Sequence, residues 1–103
     1  MYKIIITTTD NIKLANTIKE YVLTHKLSPC VQIIKNIDSS YIWKKKIESA
    51  KEYMVLIKCK KASLRLIKLF MDKEHSYDTY ELISVDMEIV STKYQKWFDG
   101  NCI

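Results

Sequence analysis

Glycine and proline are almost absent from this chain: one of each, Gly100 and Pro29, in 103 residues. Glycine lets a backbone wrap closely around a phosphate, and the glycine-rich nucleotide motifs need several. Phosphate-cradling loops of that kind are excluded, as are long flexible linkers. Arginine is equally scarce, with Arg65 alone among 17 basic residues. Arginine supplies the bidentate fork that reads phosphates and bases, whereas lysine is a point charge. The net charge of +5 therefore describes a solvated, lysine-rich surface, and no nucleic-acid partner is expected. Long apolar runs are missing too. Nothing approaches the roughly 18 residues of a membrane span, and the run Tyr2 to Ile6 is too short for a secretory leader.

Paired cysteine motifs are also missing. Cys30, Cys59 and Cys102 are odd in number and widely spaced, which fits reduced thiols in a cytoplasmic protein better than a disulfide framework. No CxxC, HExxH or paired-histidine helix is present, so a preformed structural zinc site is not expected. His25 and His75 are the only histidines, and neither neighbours a cysteine. Nucleophilic catalysis needs a base beside its nucleophile; the chain reads as a protein that binds and assembles, not as an enzyme.

What is present is 48% apolar and 28% charged residues, enough for one globular domain over residues 1–103. A β-branched run over 2–9 predicts a buried strand. Asp10 is the expected N-cap of a helix reaching about residue 26, with Leu14, Ala15, Ile18 and Val22 on its apolar face. Pro29 blocks further helix and opens a second strand. Residues 36–40 read as a turn or bend between two extended pieces, and Lys44-Lys45-Lys46 as the exposed side of a hairpin arm. The apolar run within 53–59 predicts a central strand buried on both faces, by helices or by a partner. A second helix is expected over 62–73, a last strand over 80–85, and a short terminal helix over 92–99 ended by Gly100. Strand, helix, two strands, helix, strand is the order of the ferredoxin-like split β-α-β sandwich. The fold class is thus α+β, with an antiparallel sheet, a long hairpin arm and a short C-terminal helix.

That fold serves many functions, so the site residues must decide. The third strand lacks the glycine and aromatic pair of an RNA-recognition motif, and Thr7-Thr8-Thr9-Asp10 lacks a phosphate cradle. His25, flanked by lysine at a helix end, reads as a surface residue, and Cys30 in a strand as a small apolar one. The segment His75-Ser76-Tyr77-Asp78-Thr79-Tyr80-Glu81 gathers an imidazole, two phenols and two carboxylates. It is either a polar loop packed on the sheet or a binding site. Tyr41 and Trp43 alternate on one strand face beside three lysines, where one chain has little core left to offer and a second subunit is the better cover.

Taken in order, Leu27-Ser28-Pro29-Cys30-Val31, Tyr41-Ile42-Trp43 with Ile47-Glu48, Val55-Leu56-Ile57-Lys58, the 75–82 segment and Tyr94-Gln95-Lys96-Trp97 resemble the CutA divalent-cation tolerance family. The resemblance spans essentially the whole chain. It implies a PII-like homotrimer paired through edge strands and the hairpin arm, linked to divalent-metal tolerance and without catalytic activity. It further implies a metal ion, Cu²⁺ or Zn²⁺ and not required for folding, near Cys30, His75 and Glu81. The implied intersubunit cleft is lined by Tyr41, Trp43, Lys58, Tyr77 and Trp97. Two alternatives stand beside metal binding: a signalling module taking a small anionic ligand near Lys58, and a structural trimer that anchors partners. The chain departs from the family pattern at Ser76 and Tyr80, where prolines are usual, and at Lys45, where glycine is common in the arm. Strand one ends in threonines instead of a cysteine, and Glu74 precedes His75 where the family has a second histidine.

Overall fold

The β-branched start of the chain forms β1 (Tyr2–Thr9), the strand on which the rest of the sheet is assembled. In the computed structural model, which describes residues 1–103, four strands and three helices follow one another in the order expected for a split β-α-β sandwich. β1 leads into α1 (Ile12–Thr24), then β2 (Cys30–Trp43) and β3 (Lys46–Lys60). A short 3₁₀ turn at Lys61–Ser63 opens α2 (Leu64–Glu74), followed by β4 (Ile83–Met87) and α3 (Thr92–Gly100). The sheet order is β2-β3-β1-β4 and every neighbouring pair is antiparallel.

Alternation along each strand sends odd and even residues of β1 to opposite faces. Ile5 of β1 with Val55, Ile57 and Cys59 of β3 face the helices. They meet Leu14, Ala15, Ile18 and Val22 of α1 and Ile67 and Met71 of α2 in one buried core. Each large side chain buried there contributes on the order of 2 kcal/mol. Thr7 and Thr9, fully buried beside this core, remain satisfied: the Thr7 hydroxyl donates to the Glu81 carbonyl at 2.6 Å.

The opposite face of the sheet is uncovered over much of its area. Cross-strand partners share a face, so it carries the rows Ile34–Met54–Thr8, Gln32–Leu56–Ile6–Ile83 and Cys30–Lys58–Ile4–Val85. Ile34, Ile83 and Val85 are about half exposed there. β3 is therefore buried on one face in a single chain, not on both; Met54, Leu56 and Lys58 are only half-buried. α3 crosses the far end of this face, where fully buried Phe98 packs edge-on against Tyr2 at 5.4 Å.

Local details differ from or refine the sequence expectation in four places. Asn11, not Asp10, caps α1: its side-chain oxygen accepts from Lys13 N at 2.9 Å and Leu14 N at 3.4 Å. Residues 36–40 make no turn. Of the turn or bend expected there, a bend forms: β2 continues as one strand, and one extra residue is absorbed as a bulge between Ile34 and Ile37, with Asn36 at φ 60°. β4 starts at Ile83, because the residues before it are held in the loop that follows α2. Gly100 is the last helical residue, and Asn101 caps α3.

Beyond the bulge, β2 and β3 continue as a two-stranded arm that ends at the pair Trp43–Lys46. The two tip residues, Lys44 (φ 49°) and Lys45 (φ 65°), both adopt left-handed backbone, the geometry of a type I′ hairpin turn. Lys45 thus keeps the conformation that glycine would hold more cheaply. The arm stretches the molecule to 46 Å against 26 and 21 Å in the other directions.

Candidate functional site

The chemistry-bearing side chains gather where α2 hands over to β4. His75 caps the C-terminus of α2, its backbone N–H donating to Met71 O at 2.8 Å. That position turns the ring onto the end of β1, where Nε2 lies 3.0 Å from Thr8 O. The Tyr77 backbone N–H donates to Nδ1 at 3.1 Å. One nitrogen faces an acceptor and the other a donor, so the ring is the neutral Nε2–H tautomer. Burial holds its pKa below the usual histidine value; the Thr8 carbonyl and the carboxylates of Glu52 and Asp10 oppose that shift.

Two phenol–carboxylate bonds hold the loop on either side of this ring. Tyr77 donates its hydroxyl to Glu52 Oε2 at 2.6 Å. Glu52 lies two residues before Met54 on β3, on the open face, and is only 7% exposed. Tyr80 stacks on His75 at 4.5 Å with 12° between the rings, and donates its hydroxyl to Asp72 of α2. Burial, with Glu52 next, raises the Tyr77 phenol well above its ordinary value. Burial, with Asp72 next, pushes Tyr80 up to about 12. Both phenols are therefore donors across the physiological range. The hydrogen bond from Lys68, then that from Tyr80, holds the Asp72 carboxyl low. These contacts fix a loop that contains no proline: Tyr80 ties it to Asp72 of α2.

β3 serves as a ruler for the remaining candidates, since a strand rises about 3.3 Å per residue. Glu52 and Tyr77 mark one level. Lys58, paired with Cys30, lies six residues or about 20 Å to one side. There Tyr94 of α3 lies near enough to Cys30 for the two side chains to influence each other, and Trp97 beside it is 45% exposed. Lys46, paired with Trp43, lies about 20 Å to the other side. Tyr41 and Trp43 stand on the arm, each 46% exposed. Glu81 is an exposed neighbour of the loop site. The candidate cleft residues thus occupy three separate levels of one chain. No three His, Cys, Asp or Glu side chains come together at metal-binding distance, so a single chain does not offer the donor set of a divalent ion. His25 stacks on Tyr21 at 4.1 Å beside a shallow depression on α1, away from this loop.

Glu52 and Asp72 were not among the residues singled out from sequence. For Glu52 the signal is its phase. It shares the even positions of β3 with Met54 and Leu56, and a carboxylate entering a half-buried row needs a donor nearby.

Together these features define a small ferredoxin-like α+β protein with a polar loop site at one sheet end, a projecting arm and an unfilled apolar sheet face. A sequence model of the family described as CutA1 divalent ion tolerance protein matches residues 3–101. The chain belongs to that family. It is 33% identical over 89 residues to the chloroplastic CutA protein of Arabidopsis thaliana, covering 86% of this chain and 47% of the relative. It is 32% identical over 90 residues to human CutA, covering 87% and 50%. The chain thus spans about half the length of these relatives. Among solved structures, the divalent cation tolerance protein of Thermus thermophilus superimposes with a TM-score of 0.93 at 22% identity, covering 99% of each chain. A CutA named as a periplasmic divalent cation tolerance protein, from Archaeoglobus fulgidus, gives 0.91 at 27% identity over 98% of each. No helix of this chain is long and apolar enough to cross a membrane.

Proposed function

We propose that the chain is a non-catalytic divalent-cation tolerance protein of the cytoplasm, working as a homotrimer joined through edge strands and the hairpin arm. The observation that carries this reading is uncovered surface. The chain exposes 7013 Å², whereas a compact monomer of its 12.2 kDa exposes about 6,100 Å². The difference, roughly 900 Å², is close to what one partner covers in a standard interface. The radius of gyration of 14.4 Å likewise exceeds the roughly 12.8 Å of a compact chain this long. The two free sheet edges are unlike, 14 residues in β2 and 5 in β4. Pairing unlike edges is heterologous, and where the rotation between copies closes it forms a ring, which also removes edges open to uncontrolled pairing.

In this reading Cys30, His75 and Glu81 hold a Cu²⁺ or Zn²⁺ ion only when contributed by different copies. Thiolate and imidazole suit such ions. His75 would offer Nδ1, after the Tyr77 N–H releases it. The core closes around apolar side chains alone, so folding does not depend on metal. One observation favours a second reading: Lys58 is half-buried on the apolar face and forms no intrachain ion pair. A lysine so placed suits a small anionic ligand, as in a PII-like signalling module.

Calorimetric titration with Cu²⁺, Zn²⁺ and a panel of nucleotides and small carboxylates separates the two. Metal binding that weakens at least about tenfold, or 1.4 kcal/mol, in His75→Ala and Cys30→Ala supports the first. Metal binding untouched by both substitutions overturns it. Anion binding abolished by Lys58→Ala establishes the second.

A further inference from the structure

The arm tip carries three consecutive lysines, and none of Lys44, Lys45 or Lys46 meets a carboxylate of its own chain. Two of them sit in left-handed backbone, a conformation that disfavours any residue with a side chain. At the level of Tyr77, about 20 Å back along β3, the rim of the loop site is acidic. Asp10 and Asp78 are exposed there, and they too lack any intrachain ion pair. Asp10 lies close enough to act on both His75 and Tyr77. The four ion pairs that the chain does form leave out both groups. Tip and rim are opposite in charge and unsatisfied, and the rigid arm holds them apart within one copy.

We infer that the lysine tip of one copy seats on the carboxylate rim around Tyr77 of the next copy, so that each loop site is completed by a neighbour's cations. This rests on the assembly proposed above and names its contact. Joining a tip to a rim joins unlike surfaces, so the contact repeats head to tail, and a closed trimer would satisfy every tip and every rim. It delivers positive charge to a site whose own chain supplies carboxylates and a neutral imidazole. It also assigns the lysines a role that accounts for their place in a turn better suited to glycine.

The test is zero-length carbodiimide coupling of amine to carboxylate in the wild-type protein, read by gel and by peptide mass spectrometry. Covalent trimers whose linked peptides join Lys44, Lys45 or Lys46 to Asp10 or Asp78 are expected. The separation within one chain rules out the same links forming internally. The charge reversal Lys44→Glu with Lys45→Glu and Lys46→Glu should then speed subunit exchange about tenfold at low salt. Adding Asp10→Lys and Asp78→Lys should bring the rate back. Covalent trimers that lack tip-to-rim links overturn the inference and leave the assembly standing. A protein that couples only as a monomer while sedimenting as a trimer overturns the inference alone, and one that sediments as a monomer overturns both.

Discussion

Tyr77→Phe removes a single oxygen, and the structure says what that oxygen does. The hydroxyl donates to Glu52 Oε2 at 2.6 Å, the one hydrogen bond that this carboxylate accepts within the chain. Glu52 is 7% exposed, so solvent replaces the lost donor poorly. A hydrogen bond to a charged group is worth about 1.5–3 kcal/mol, and leaving a buried carboxylate without its donor adds to the cost. The expected loss is about 2 kcal/mol, or roughly 10 °C in melting temperature for a chain this size. Urea unfolding at one fixed protomer concentration measures it, because assembly makes apparent stability concentration-dependent. Glu52→Gln keeps an acceptor oxygen and should cost about half as much, since the bond weakens but survives. The two changes combined should show a coupling energy of about 1 kcal/mol. A Tyr77→Phe protein within about 0.5 kcal/mol of wild type would refute the claim that this bond secures the loop.

Lys45→Gly should stabilise the chain by about 1 kcal/mol, because φ 65° suits glycine, while Lys45→Ala should give no gain; urea midpoints decide. At alkaline pH the folded state keeps phenolic protons that the unfolded chain gives up. Tyr80 is pushed up to about 12 and Tyr77 is also raised, against about 10 when unfolded. Their contribution is complete below about pH 10 and is lost as pH rises through the folded values. Tyr80→Phe and Tyr77→Phe should each flatten that decline in urea titrations, and an unchanged slope in both would count against the assigned bonds. The thiols should separate by mass spectrometry after alkylation. Cys59 is fully buried and burial pushes it up to about 11, so it should label only on unfolding, after the half-buried Cys30 and Cys102.

The architecture was legible because its signals are local and periodic. The apolar spacing of Leu14, Ile18 and Val22 and the β-branched run of β1 reflect the faces they bury. Three shifts came from the surroundings of a residue. Asn36 has the composition of a turn, yet β3 pairs on either side of it, and the ladder absorbs it as a bulge with left-handed backbone. Asn11 displaced Asp10 as cap by one position, a choice between two competent residues that depends on where the chain leaves β1. Tyr80 and Glu81 have strand-like neighbours, but the Asp72 bond and the Thr7 hydroxyl hold them in the loop.

The loop site was half legible. His75, Tyr77 and Tyr80 announced themselves by clustering in sequence, whereas Thr8 and Asp72 reach them from other elements without a signal, and Glu52 shows only by its phase on β3. The resemblance supplied Cys30 and Lys58 as companions of His75. Within one chain β3 keeps them about 20 Å from the loop, so any shared site needs neighbouring copies.

That requirement makes the mass of the protein in solution the most direct test. Sedimentation equilibrium at low micromolar concentration should find one species of about 37 kDa, three times the 12.2 kDa chain. A folded, soluble protein that sediments at about 12 kDa under those conditions would contradict the proposed assembly, the shared metal site and the seating of the lysine tip alike.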